Sequence, residues 1–384
     1  MSLRPLAAGG FRIEDRNPWK AKTAVVDSWD LPSVPLDDLS LNRKGAVIGS
    51  ARRHAAFKGR SDVLARYHAG FGWQGDDAST EYWVPQGLTG ADDSADEAAG
   101  GRKWLAVSWH NEHDDVEKGM RLSLADVTTW KSPIRYRNIL LVNPVAAADS
   151  SRAAFAPIPA HAGGAVWFRN YLYVTDSRGF ERRRPGGLLV FDMTRIKEVD
   201  DSRDDVIGWS KTGDACYAYG YRYILPQVGH YLQVADGDRP LRWSFIGLDR
   251  SGSTRSLMMG EYTGRGQPPA RLVWWPLDTE AGRLHTGRDG RLDASLARAC
   301  GSELFLQGCH SQDALADDGM VWLSRSSADD ALYERPIDGG KGTTRQPWAD
   351  QPEGLTYSPG SGNLWCVTER PGARAVFAVK RGKV

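Results

Sequence analysis

The stretch Trp83-Val84-Pro85-Gln86-Gly87 and its later counterpart Ile158-Pro159-Ala160-His161-Ala162-Gly163 decide how this chain is read. In both, an apolar run broken by proline meets a polar side chain and then a glycine. The phrase returns as Ile224-Leu225-Pro226-Gln227-Val228-Gly229, Leu304-Phe305-Leu306-Gln307-Gly308 and Gln351-Pro352-Glu353-Gly354. A fixed phrase followed each time by alternating β-branched and aromatic residues is the signature of a sheet repeated around an axis. The expectation is an all-β fold, a five-bladed β-propeller of four-stranded antiparallel blades whose five polar anchors converge.

The strand series is clearest after His161, with runs at 165–168, 171–176 and 187–192 and a fourth between Tyr217 and Tyr223. The next unit reads as Gln227 to Val234, Leu241 to Leu248, Ser256 to Tyr262 and Arg271 to Trp275. Only 31 residues follow Glu353, room for three strands, so a fourth has to come from elsewhere. Asp62-Val63-Leu64-Ala65-Arg66-Tyr67-His68 is placed to supply it, closing the ring with an N-terminal strand and removing its open edges. Residues 1–45, marked by prolines and lacking periodicity, read as an N-terminal surface extension, and 46–384 as a single domain. A β-sandwich with similar turns stays open as the alternative.

Composition narrows the partners. A net charge of +1 offers no field for nucleic acid or an anionic membrane. No run approaches the roughly 18 apolar residues that span a bilayer, so a soluble chain is expected. Met1 to Gly10 has no hydrophobic signal core, which fits an intracellular protein or a trimmed secreted one. The partners expected are a small molecule or glycan, with neither nucleic acid nor membrane, and the chain reads as a monomer. Among the cysteines, Cys300 and Cys309 need a tight reversal at Gly301 to meet, while Cys216 and Cys366 sit in strand-like runs. Free thiols are expected.

If each phrase opens an inner strand, the following strand runs back and ends beside it. That places His110, Asp176, Asp249, Arg325 and Glu369 in a second polar ring. The expected pairs are Gln86 with His110, His161 with Asp176, Gln227 with Asp249, Gln307 with Arg325, and Glu353 with Glu369. A carboxylate on one imidazole nitrogen makes the other a better base, so His161 and Asp176 read as a catalytic pair or as a tie between strands. Glu353 and Glu369 would shift each other's protonation or share a cation. Arg325 suits an anionic group, and Trp83 and Trp109 lie where a ring-shaped ligand would stack. His110-Asn111-Glu112-His113-Asp114-Asp115 has a metal-like composition but lies in a loop, unlike the helical zinc-protease motif.

Pro352-Glu353-Gly354-Leu355-Thr356-Tyr357-Ser358-Pro359, followed by Gly362-Asn363-Leu364-Trp365-Cys366-Val367-Thr368-Glu369, resembles a blade of the calcium-containing propellers related to gluconolactonase and strictosidine synthase. The resemblance implies Glu353 as ligand of an axial divalent cation such as calcium, the one cofactor expected. Three functions follow. The first is an enzyme of non-redox acid–base chemistry, a lyase, cyclase or hydrolase acting on a small polar or polycyclic metabolite with His161, Asp176, Glu353 and Glu369 as the catalytic set. The second is a non-catalytic ligand- or carbohydrate-binding propeller, and the third a protein scaffold.

Overall fold

The structure, a computed structural model, describes residues 3–6, 11–15, 19–95, 99–112, 117–130, 133–147, 152–177, 186–235, 241–262, 270–285, 298–302, 310–326, 330–338 and 344–381. The fold is all-β, and the longest helix among the described residues is Trp19–Asp27. Strands follow one another as antiparallel runs of four. The first run is Trp83–Gly90, Trp104–Asn111, Met120–Asp126 and Ile134–Val145. The second is Ala165–Phe168, Tyr171–Asp176, Gly187–Asp192 and Tyr223–Ala235. The third is Trp243–Asp249, Ser256–Glu261, Arg271–Pro276 and Arg298–Ser302. The fourth is His310–Asp317, Met320–Ser326, Ala331–Pro336 and Thr344–Pro347. Pro352–Ser358, Asn363–Thr368 and Ala375–Lys380 form the last, completed by Tyr67–Gly72.

Side-chain alternation explains how these runs hold together. Trp104–Asn111 is buried along its whole length. Trp104 and Ala106 enter one apolar cluster while Leu105, Val107 and Trp109 enter another, as a strand with a period of two requires when both faces are covered. Ala165 and Trp167 share the first cluster, and Val166 and Phe168 point into a third. Each core therefore lies between successive runs.

The expectation of five separate blades is corrected. Ile134–Val145 pairs in parallel with Tyr223–Ala235 through Leu140↔Ile224 and Leu141↔Leu225, and antiparallel with Arg43–Val47. Arg43–Val47 pairs in turn with Tyr67–Gly72. Among the described residues these links merge the strands into one sheet of 16 and another of 9, with a further pair of strands apart.

Two strand assignments also change. Ser61–Arg66 is helical, with the Arg66 Nε donating back to the Asp62 carbonyl, and the closing strand begins at Tyr67. The segment carrying Gln227 is the outer strand of the second run, where Gly229 lies opposite Val190. The segment expected as that run's fourth strand instead holds Cys216–Ala218, which pairs with Ile207–Trp209 in the small separate sheet. The inner strand of the third run is consequently Trp243–Asp249.

Helix Trp19–Asp27 covers this outer strand. The Trp19 indole donates to Asp15 at 2.6 Å and packs edge-on against Tyr171 and Tyr231. Cys216 and Cys366 are buried free thiols, Cys366 accepting the Trp348 indole N–H, while Cys309 lies outside the described residues. No helix among the described residues is long and apolar enough to cross a membrane.

Candidate functional site

The glycine that follows the polar anchor has a steric reason. A Cβ on Gly354 would sit 2.3 Å from the Leu88 nitrogen, and one on Gly87 would sit 2.5 Å from the Ala165 nitrogen. Only glycine permits backbones to approach that closely. The inner strands of the last, first and second runs are thereby pressed together, and the polar residues beside these glycines meet at one mouth. Gln86, His110, His161, Glu353 and Glu369 line a pocket of about 430 Å³ there.

Its geometry differs from the expected pairings in one important respect. His161 does not meet Asp176. Its ring stacks on His110 with centroids 4.1 Å apart and planes inclined at 29°. His110 is buried and its Nε2 lies 2.7 Å from a Glu112 carboxylate oxygen. Burial, reinforced by the charge of His110 and of Arg242 against the opposing pull of Glu112, lowers the His161 pKa to about 3. His161 is therefore a neutral imidazole at neutral pH.

The structure brings the two glutamates together. Glu353 is buried, and its hydrogen bond with Glu369 is one of the contacts that temper the Glu369 carboxyl. Burial pushes Glu369 above the ordinary carboxylate range. The Gln86 amide, donating to Glu369 at 3.0 Å, pulls it back, and Glu112 raises it again. A raised carboxyl beside a second carboxylate shares a proton with it.

The remaining expected residues lie elsewhere. The Gln227 amide donates to the Gly229 carbonyl at 2.9 Å and its oxygen accepts from Lys22, beneath the helix. Asp249 closes a turn by accepting the Ser251 N–H at 2.8 Å. Arg325 donates to the Tyr333 hydroxyl at 2.8 Å. Asp176 is buried opposite Gly187, and its neighbour Ser177 lines the pocket instead. Trp109 is core, 5.1 Å from Trp73, and Trp83 lines a different cavity. Gln307 lies outside the described residues.

Sequence reasoning named Glu112 only as part of a metal-like run and missed Arg242, Ser244 and Tyr262, all of which line the pocket. Arg242 and Ser244 stand where the third run enters its inner strand, and Tyr262 where its second strand ends. They occupy the positions that had been given to Gln227 and Asp249. The Arg242 guanidinium lies 5.1 Å over the Tyr262 ring. The available signal was the alternation that begins at Leu241.

No protein family and no curated sequence matches the chain. Two single-residue variants of Synechocystis apocarotenoid oxygenase resemble it in structure, with TM-scores of 0.28 and 0.30 at 10% identity, over 77% of this chain and 61% of theirs. The cobalt-substituted form of that enzyme gives 0.30 at 9% identity, over 82% and 68%. The chain thus spans less than two thirds of the length of the first two. At these scores the likeness transfers neither activity nor residues.

Three expectations are corrected here. The resemblance to gluconolactonase-like propellers is not upheld: no protein family and no curated sequence matches, and the solved structures named above are of apocarotenoid oxygenase. The expectation of non-redox acid–base catalysis is corrected as well, because the His161–Asp176 pair on which it drew is not formed and His161 stacks on His110 instead. The expected calcium is corrected too, since no group of three or more His, Cys, Asp or Glu among the described residues is placed to hold an ion.

Proposed function

We propose that the pocket formed by Gln86, His110, Glu112, His161, Arg242, Glu353 and Glu369 binds a small, uncharged, hydroxyl-rich molecule of the size of a mono- or disaccharide. The observation that carries this reading is the Glu353–Glu369 pair with Gln86 donating to it, opposite two stacked imidazoles. Paired carboxyls and an amide offer adjacent acceptors and donors that match vicinal hydroxyls. Carboxylates disfavour an anion and Arg242 disfavours a cation, which leaves a neutral polar guest. A cavity of about 430 Å³ falls within the roughly 300–1,000 Å³ of small-ligand sites. The ring-like setting of the inner strands around this mouth belongs to the same reading, supported by the close approaches at Gly87 and Gly354.

The test is saturation-transfer NMR and titration calorimetry with a panel of mono- and disaccharides and cyclic polyols. At least one should bind saturably. Its affinity should fall by about tenfold or more in Gln86→Ala and Glu353→Gln, the usual result of losing a hydrogen bond to a charged group. A panel without a binder, or a binder indifferent to both substitutions, overturns the reading.

A further inference from the structure

A larger cavity, of about 640 Å³, opens on the other side of the first inner strand. Neighbouring residues of a strand face opposite ways, so Val84 lines the mouth pocket while Trp83 lines this second space. Its chemistry is different. Four cations line it, Arg43, Lys118, Arg121 and Arg137.

One carboxylate, Asp77, is saturated by two of them. It takes Arg121 at 2.8 Å and Arg43 at 2.9 Å, together with the Tyr136 hydroxyl and the Asn138 amide. Among the described residues the other two cations have no such close carboxylate. Arg137 is buried, yet besides the Tyr223 ring 4.9 Å away its contacts are a Ser40 carbonyl at 3.4 Å and an Asp201 oxygen at 3.9 Å on a half-exposed side chain. Lys118 reaches only the Asp204 carbonyl at 3.4 Å and lies 5.4 Å over the Tyr219 ring. The acidic side chains of Asp76 and Asp204 also line the space, but both are exposed and water screens them.

A buried guanidinium without a close carboxylate is costly to maintain, and an anionic guest would repay that cost. The walls are aromatic: Tyr82, 53% exposed, with Trp83, Tyr219 and Tyr221. Trp83 is held edge-on by Tyr221, with Arg121 4.6 Å over its face, so the wall is braced rather than loose.

We propose that this cavity is a second binding site, for a small aromatic carboxylate. The carboxylate is received by Arg137 and Lys118, and the ring lies against Tyr82 and Tyr219. Planar guanidinium geometry matches a carboxylate, and tyrosine faces match a flat apolar ring.

The experiment is titration calorimetry of the full chain with benzoate, with acetate and inorganic phosphate as comparison probes. Benzoate should bind saturably, and acetate and phosphate should each bind at least about tenfold more weakly, since neither offers a ring to bury. Arg137→Gln should weaken benzoate by about tenfold or more, as loss of a charged hydrogen bond does. Lys118→Gln, a substitution at a half-buried position, should weaken it by about threefold. Should Arg137→Gln fail to fold, as read by circular dichroism, Lys118→Gln carries the test alone. The proposal is overturned if benzoate does not bind, if phosphate or acetate binds as tightly, or if the folded variants bind benzoate as well as the parent chain does.

Discussion

Asp77→Asn is the substitution that most directly tests the polar hub beneath the second cavity. Asp77 is 1% exposed and accepts from Arg121, Arg43, Tyr136 and Asn138 at 2.7 to 3.2 Å. Burial alone would raise its pKa. The charges of Arg121 and then Arg43, with the Tyr136 and Asn138 hydrogen bonds, overcome that and hold it below the ordinary carboxylate value. Asparagine keeps the shape and removes the charge, leaving the Arg121 guanidinium buried and uncompensated. Breaking one side of a buried ion pair costs about 3–5 kcal/mol. For 384 residues the unfolding entropy is about 0.8 kcal/mol/K, so the midpoint should fall by roughly 4–6 °C. Arg43→Gln is the control: that side chain is 36% exposed, and its loss should cost no more than about 1 kcal/mol. Both are read by thermal and guanidinium unfolding followed by tryptophan fluorescence. Because the folded pKa is depressed, the Asp77 contribution is complete above the unfolded value of about 3.9 and disappears as pH falls through the folded value. The gap between parent and variant should therefore close in acid. A loss under about 1 kcal/mol at pH 7, or a gap that widens in acid, refutes the account of Asp77 as a charged hub.

Glu369 has the opposite sign. Its raised folded pKa means that its stabilising contribution is complete below the unfolded value of about 4.3 and is lost as pH rises through the folded value. Glu369→Gln should flatten that part of a stability-versus-pH curve, and a curve unchanged by the substitution counts against the shared proton. His161, lowered to about 3, stabilises fully above about pH 6.5 and progressively less as pH falls toward its folded value. Its ring carbons in an NMR titration should show no protonation step between pH 5 and 8, and a midpoint near 6 would contradict the buried stack on His110. Gly229→Ala places a Cβ 2.6 Å from the Trp19 ring and should destabilise by about 1–3 kcal/mol while shifting tryptophan emission. A silent Gly229→Ala would mean that helix Trp19–Asp27 does not sit on this strand.

The parts of the site that were legible in sequence are those where local and global signals agree. Gln86-Gly87 and Glu353-Gly354 each combine an inner-strand opening with a glycine that a neighbouring backbone requires, so the phrase and the packing have one cause. His110 and Glu369 followed from the antiparallel return, which depends only on strand alternation. Gln227-Val228-Gly229 satisfied the same phrase for a different reason: its glycine makes room for the Trp19 ring on an outer strand. Once that phrase was taken as an inner strand, every assignment in the third run slipped by one element, and Arg242 and Tyr262 were displaced by Gln227 and Asp249. The merging of runs into larger sheets was not legible at all. It rests on a few pairs such as Leu140↔Ile224 and Ala46↔Gly72, between segments far apart in number that carry no mutual pattern.

Trp109 carries the Arg121 guanidinium at 4.5 Å and the Arg374 guanidinium at 5.6 Å. Two like charges over one ring would repel strongly in a dry interior, and burial followed by the charge of Arg121 does lower the Arg374 pKa, to about 10. Each cation is held by an oxygen acceptor on its own side. Arg121 is bound to the Asp77 carboxylate, whereas Arg374 donates to the Glu369 carbonyl at 2.7 Å and the Asp77 carbonyl at 3.1 Å. Arg374 thus fixes the backbone that presents Glu369 to the mouth, and it does so without a direct bond to the Glu369 carboxyl. That carboxyl is left for Gln86 and Glu353, and burial keeps it raised although both contacts and the Arg374 charge pull it down. The pocket lined by Val84, with its three glutamates, and the cavity lined by Trp83, with its arginines, thus lie along one strand, and Arg374 is tied there to backbone carbonyls and not to a carboxylate.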